Sequence, residues 1–197
     1  MPDSRRLVVV DTSVAINLNA TNCATDILGA LPYDVVVTDS VRGELLGDRR
    51  SGRGDAEMLA TLVSLGHVSM VSLDEAALRV FGDLVAGSTA ETLDDGEAAT
   101  IAYAVTHDAV PIIDERKARR ICAQRFAGLR PLSTVDILAE PAVGAALGRS
   151  ALADAVFHAL RNARMRVLPE RVAWVVALIG DDRASLCPSL PRRARSG

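Results

Sequence analysis

Aromatic residues are scarce in this 197-residue chain: three Phe, two Tyr and one Trp make up 3% of it. A nucleic-acid binder built on stacking platforms needs exposed rings, so that class is disfavoured. Lysine is scarcer still, since Lys117 is the only one and arginine supplies the remaining side-chain cations. The net charge of −3 gives no global basic field to hold a polyanion. Cys23, Cys122 and Cys187 are odd in number, far apart and form no CxxC, which points to reduced thiols of a cytosolic protein rather than disulfides or a zinc site. His67, His107 and His158 are equally scattered and make no HExxH. No apolar run reaches membrane-spanning length, VAWVVALIG (172–180) included. The VVV near the start is too short for a signal peptide and runs straight into Asp11. A soluble cytoplasmic chain with no membrane partner is expected.

What is present is a large apolar fraction, 49%, in which Ala, Val and Leu must fill the core. LVVV (7–10), DVVV (34–37), HVSMVSL (67–73) and AVPII (109–113) read as strands, and LRPL (129–132) as a short fifth strand or edge segment. Helical stretches separate them, with Thr12 or Ser13 as the N-cap of the first and Ala98, Ile101, Ala102 and Val105 along one face of a later one. Strands alternating with helices imply a parallel sheet covered on both faces. The expectation is an α/β chain with a mostly parallel sheet of about five strands. Residues 1–140 form the α/β domain, 141–183 a helical extension packed on it, and 184–197 a flexible basic tail.

Two of the strand-like runs stop abruptly at a carboxylate, Asp11 and Asp114. In an open parallel sheet, ligands bind beyond the carboxyl ends of the strands, beside a switch in strand order. If the two strands are neighbours, both carboxylates meet in one crevice. Each acid alone has a structural alternative, because an Asp between a strand and a helix is often an N-cap. Glu44 sits in a short helix after the second strand, and Asp94, Asp95 and Glu97 open the helix before the fourth, where acids also complement the helix dipole. Caps do not require that successive connections deliver acids to the same sheet edge. Carboxylates so gathered would take up protons unless a cation neutralised them. Oxygen-only ligands fit Mg²⁺ or Mn²⁺, which serve phosphate-ester chemistry.

The order DTS (11–13), helical Glu44, DDGEAATIAYA (94–104) and IIDERKAR (112–119) resembles the PIN-domain nuclease superfamily, closest to a bacterial branch with a D-x-G-E signature before the fourth strand. VVVTDSVRGELL, LRPLSTVDIL and FHALRNARMRVLPERVAWVVALIG extend the likeness over about residues 7–180. The resemblance implies a three-layer α/β/α sandwich with a C-terminal helical pair. It also implies a Mg²⁺- or Mn²⁺-dependent endoribonuclease, often the toxin of a VapC-type toxin–antitoxin pair. Asp11 and Asp114 would be direct metal ligands, and Glu44 a direct or water-mediated one. Glu97 stands where many members have a third Asp, so the resemblance leaves open whether Asp95 or Glu97 reaches the ion. Ser13 would orient Asp11 or a metal water, and Ser133 or Thr134 would give polar support. A homodimer and an antitoxin that covers the crevice are the partners it implies. Arg42, Arg49, Arg50, Arg116, Lys117 and Arg119 are the candidate contacts to RNA phosphates, which position a strand without reading its sequence.

Other classes fit less well. A receiver-type phosphoacceptor needs a lysine at the end of a late strand, and Lys117 lies on a helix start. A haloacid-dehalogenase-like phosphatase needs D-x-D, where this chain has Ser13 at the second acid. The competing reading of a different class is a PIN-fold binding or regulatory protein that is catalytically weak or inactive.

Overall fold

The computed structural model describes residues 5–47, 54–88 and 92–194, so the candidates Arg49 and Arg50 lie outside the described residues. In chain order the elements are β1 (Arg6–Val10), α1 (Thr12–Ala20), α2 (Ala24–Ala30), β2 (Tyr33–Thr38), α3 (Asp39–Gly47), α4 (Gly54–Ser64), β3 (Ser69–Val71), α5 (Glu75–Val85), α6 (Asp95–Thr106), β4 (Val110–Ile112) and α7 (Arg116–Arg125). After these come α8 (Thr134–Leu138), α9 (Pro141–Asn162), a 3-10 turn at Pro169–Arg171, α10 (Val172–Ile179), α11 (Asp181–Ser185) and a last 3-10 turn at Arg192–Ala194. They gather into two compact units. One holds the chain up to Ala15 and Pro32–Leu132, the other Ile16–Leu31 and the chain from Ser133 onward. Residues 16–31 thus join the C-terminal helices, so the compact units do not divide at residue 140.

The first unit carries the sheet, parallel throughout, in the order β3-β2-β1-β4. β1 is central, pairing Val8 with Val35 on one side and with Val110 on the other. Successive strand residues face opposite sides, yet Val8, Val9 and Val10 are all buried, so both faces are covered there. The chain runs outward from β1 to β2 and β3, then returns to lay β4 on the far side of β1. The reversal in winding therefore falls between β1 and β4.

The α/β class and parallel sheet are as expected, but among the described residues there are four strands rather than about five. Leu132 makes a single bridge to Ile112, in which its N–H donates to Pro111 O (2.9 Å) and its carbonyl accepts from Ile113 N–H (2.8 Å). Pro111 and Pro131 each lack an N–H with which to lengthen that ladder.

α6 departs from its expected single apolar face. Ala98, Ala99, Thr100, Ile101, Ala102, Tyr103 and Ala104 are all buried, whereas Val105 is exposed. A helix apolar on nearly every side belongs inside a core, and α6 packs on β1, β2 and β4 as well as on α3, α5 and α7. Its small alanines let the strands approach closely.

In the second unit α9 is interrupted at Gly148, whose φ of 76° favours glycine. α8 opens with a capping box: Ser133 Oγ accepts from Asp136 N–H, and Asp136 accepts from Ser133 N–H (2.7 Å). Asp136 also takes the Arg171 guanidinium. Ala184, Cys187 and Leu190 are buried, so residues 184–190 do not form the free tail expected of them.

Candidate active site

Asp11 follows β1 directly and is 1% exposed. It is the N-cap of α1 itself, in place of Thr12 or Ser13: its Oδ1 accepts from Val14 N–H (2.7 Å) and its carbonyl from Ala15 N–H (3.0 Å). The Ser13 hydroxyl, 3.0 Å from Oδ1 and 3.3 Å from Oδ2, fixes the carboxylate from outside. Across the sheet, Val10 pairs with Ile112 and Asp11 N–H donates to Ile112 O (3.3 Å). Asp114, 3% exposed, follows two residues later. It does not cap α7, because Glu115 does, by accepting from Lys117 N–H. The two aspartates thus stand at the carboxyl ends of adjacent strands, at the reversal in winding.

The electrostatics show what this arrangement costs. Burial raises the Asp11 carboxyl to about 8, and the charges of Asp114 and Glu97 add to the rise, against the opposing bonds from Val14 and Ser13. Glu97, on the first turn of α6, is raised to about 7 by burial and by the charges of Asp94 and Glu115, against the Asp94 N–H and Lys117. Asp11, Asp114 and Glu97 therefore share one field. Asp94 and Asp95 are exposed at the helix start, and Asp94 makes no side-chain cap bond.

Glu44, half-buried on α3, is held differently. Its Oε1 accepts from Gly96 N–H (2.7 Å) and its Oε2 from the Thr12 hydroxyl. A Cβ at position 96 would lie 2.5 Å from both Glu44 Oε2 and Thr12 Oγ1, so a side chain there would force both from their present places. Thr12 and Gly96 were not singled out from sequence as site residues. The hydroxyl directly after Asp11 and the glycine inside D-x-G-E were the signals available.

The expected phosphate contacts divide. Arg42 and Arg116 are exposed and Lys117 is half-buried. Arg119 is half-buried, and its Nη1 donates to Ile113 O and Leu132 O (both 2.9 Å), tying the single bridge together. In the second unit, Ser133 is spent on the capping box, and Thr134 Oγ1 accepts from buried Asn17 Nδ2 (3.3 Å).

A hard divalent cation suits this donor set chemically. The donors are all carboxylate oxygens, and two of them sit in a field that penalises their charge. As the side chains stand, no three His, Cys, Asp or Glu among the described residues already form a cage.

Residues 7–181 match a family model described as a PIN domain, and the chain belongs to that family. No curated protein and no solved structure matches the chain. Membership points to nuclease-type hydrolysis of a nucleic acid, in a family whose nucleases typically use divalent metals. No helix among the described residues is long and apolar enough to cross a membrane.

Proposed function

We propose that this chain is a Mg²⁺- or Mn²⁺-dependent endoribonuclease, and the toxin of a VapC-type toxin–antitoxin pair. The observation that carries the nuclease reading is the pairing of buried Asp11 and Asp114 at the β1/β4 switch point, within the field of Glu97. Asp11, Asp114 and Glu97 would hold the ion, with Glu44 as a direct or water-mediated ligand and exposed Asp95 as the alternative to Glu97. When bound, the ion supplies Lewis acidity toward a phosphoryl oxygen and toward the attacking water. Ser13 keeps the Asp11 carboxylate in one orientation, and the buried strand ends keep competing water away from it. Arg42, Arg116 and Lys117 position the phosphate backbone. Water adds to phosphorus as the P–O3′ bond breaks, leaving a 5′-phosphate and a 3′-hydroxyl with no covalent intermediate. Unpaired, splayed nucleotides suit such a crevice better than a duplex. A cytoplasmic homodimer silenced by an antitoxin over the crevice completes the proposal.

The second reading is a catalytically weak or inactive PIN-fold binding or regulatory protein, which Glu97 keeps open by standing where many members of the family have an Asp. The test is cleavage of single-stranded RNA by purified protein in Mg²⁺ or Mn²⁺, lost in Asp11→Asn and Asp114→Asn. Wild-type protein that binds RNA but cleaves none in either ion would establish the second reading instead.

A further inference from the structure

We propose that Arg161, Arg164 and Arg166, at the end of α9 and on the strap that leaves it, form a second surface for the phosphate backbone of RNA. This rests on reading the chain as a protein that acts on RNA, and it adds to Arg42, Arg116 and Lys117 a set of contacts carried by the second unit.

An α-helix commonly ends with a left-handed residue just after its C-cap, and glycine is the usual choice because it carries no Cβ. α9 ends in this way. Ala163 is its C-cap, and the next residue has a φ of 55°. The Met165 N–H returns to Ala159 O (3.1 Å) and closes the turn. That position holds Arg164, whose side chain is exposed. Among the described residues, the other non-glycine residues of positive φ are Asn22 and Asp108, whose short polar side chains suit the conformation. Arg164 is held there at a cost to the backbone while its side chain is turned to solvent, which points to function rather than to folding.

The neighbouring arginines are placed by the same turn. Met165 and Val167 are buried while Arg164 and Arg166 are exposed, so alternate side chains pin the strap and the others are offered to solvent. Arg161, exposed in the last turn of α9, is fixed by its Nη1 donating to Leu186 O (2.7 Å). A cation in a last turn complements the helix dipole, which explains Arg161 but asks for nothing beyond the helix. No Asp or Glu lies between Asp154 and Glu170 in the chain, and Asp154 is taken by Arg183 (2.6 Å). Guanidinium forks match phosphate oxygens, and three of them on a pinned backbone suit a run of phosphates. In a chain of net charge −3 the cluster is local, so it grips a strand in contact rather than drawing one from afar.

The experiment titrates metal-free protein into a labelled single-stranded RNA oligonucleotide at several salt concentrations, read by fluorescence anisotropy, with a melting temperature for each variant. The variants are Arg164→Gly, a triple change of Arg161→Gln, Arg164→Gly and Arg166→Gln, and Arg6→Gln, which removes an exposed cation from the amino end of β1. Arg164→Gly should melt no lower than wild type, because glycine enters the left-handed region freely, yet bind RNA a few-fold more weakly. Each of the three arginines removed should reduce the salt slope by about 0.7, and the triple variant should lose about 10-fold or more in affinity at low salt. Arg6→Gln should keep the wild-type slope. Unchanged RNA affinity in Arg164→Gly and in the triple variant, the outcome if the strap served an acidic protein instead, would overturn the proposal. An equal loss in Arg6→Gln would overturn it as well, since net charge alone would then explain the effect. Should the triple variant fail to fold, Arg164→Gly still decides. Cleavage of the same RNA in Mn²⁺ judges the nuclease reading separately: RNA bound through these arginines but left uncut would defeat that reading and leave this one standing.

Discussion

Asp11 in the first unit and Asp136 in the second are both withdrawn from water and both help a helix to start, yet their charges are treated in opposite ways. Burial pushes Asp136 up as well, but the Ser133 hydroxyl and N–H and the Arg171 guanidinium outweigh it and hold the carboxyl below its usual range. Its Oδ2 accepts from Ser133 N–H and Oγ at 2.7 Å, and its Oδ1 from Arg171 Nε at 2.6 Å. Among the described residues, Asp11 receives the Val14 N–H and the Ser13 hydroxyl while facing two further acids, and it rises to about 8. A buried acid answered by a cation of its own chain is structural. One left facing like charges is an arrangement that folding alone would not favour, and this supports the proposal of a cation there.

The sharpest way to break the comparison is to neutralise each acid. Asp11→Asn and Asp114→Asn should lower RNA cleavage by more than about 100-fold, measured as initial rates in Mn²⁺. Asp11→Asn should melt, metal-free, no lower than wild type above about pH 8, where the disfavoured Asp11 charge would otherwise be present. Asp136→Asn should leave chemistry intact and cost about 1–3 kcal/mol in denaturant unfolding, because Arg171 loses its charged partner. An Asp11→Asn protein that melts well below wild type while Asp136→Asn does not would reverse the assignment.

Gly96→Ala comes next. The added methyl meets Glu44 and Thr12 at 2.5 Å, and relieving that overlap should cost about 1–3 kcal/mol of stability and lower Mn²⁺ affinity. Melting temperature and metal titration on the same variant check it.

The pH response should run in opposite directions at the two places. Asp136, lowered in the fold, contributes stability that is present above its unfolded value and lost as pH falls through its folded one. Asp11 and Glu97 are raised from 3.8 and 4.5 to about 8 and about 7, so the metal-free fold binds more protons than the unfolded chain across that span. Their contribution is full below about pH 4 and lost as pH rises toward 8. Mg²⁺ or Mn²⁺ should flatten this loss and release protons on binding. Melting temperature across about pH 5–9, with and without Mg²⁺, would show the flattening, and extending the scan below about pH 4 would show the Asp136 loss. Identical slopes with and without the ion would contradict the metal assignment.

The smallest effects concern the cations. Arg42→Ala and Arg116→Ala should weaken RNA binding a few-fold and reduce the salt slope by about 0.7 for each contact removed. Arg119→Ala should act on stability instead, because its guanidinium holds backbone carbonyls.

Sequence made the sheet and its edge legible because both are written locally. A β-branched run that ends in Asp reports a strand and its carboxyl end, and β1 and β4 proved to be neighbours, which is what the argument from Asp11 and Asp114 required. What stayed hidden depends on partners far along the chain. The Glu44 tether spans 52 residues to Gly96, and no local pattern announces that the two meet. Arg119 looked like its exposed neighbour Arg116 until the Leu132 carbonyl was beside it. The fifth strand failed on two prolines, visible in the sequence but decisive only once Leu132 was known to bridge Ile112, directly after Pro111.

α6 carries Glu97 into the crevice at one end and is enclosed by its neighbours along most of its circumference. An acid mounted on a shaft so closely sleeved cannot drift, and it cannot be retuned gently either. Enlarging Ala102 or Ala104 would tilt the shaft and swing Glu97 about two turns away. Every carboxylate could then remain in the sequence of a chain that no longer gathers them.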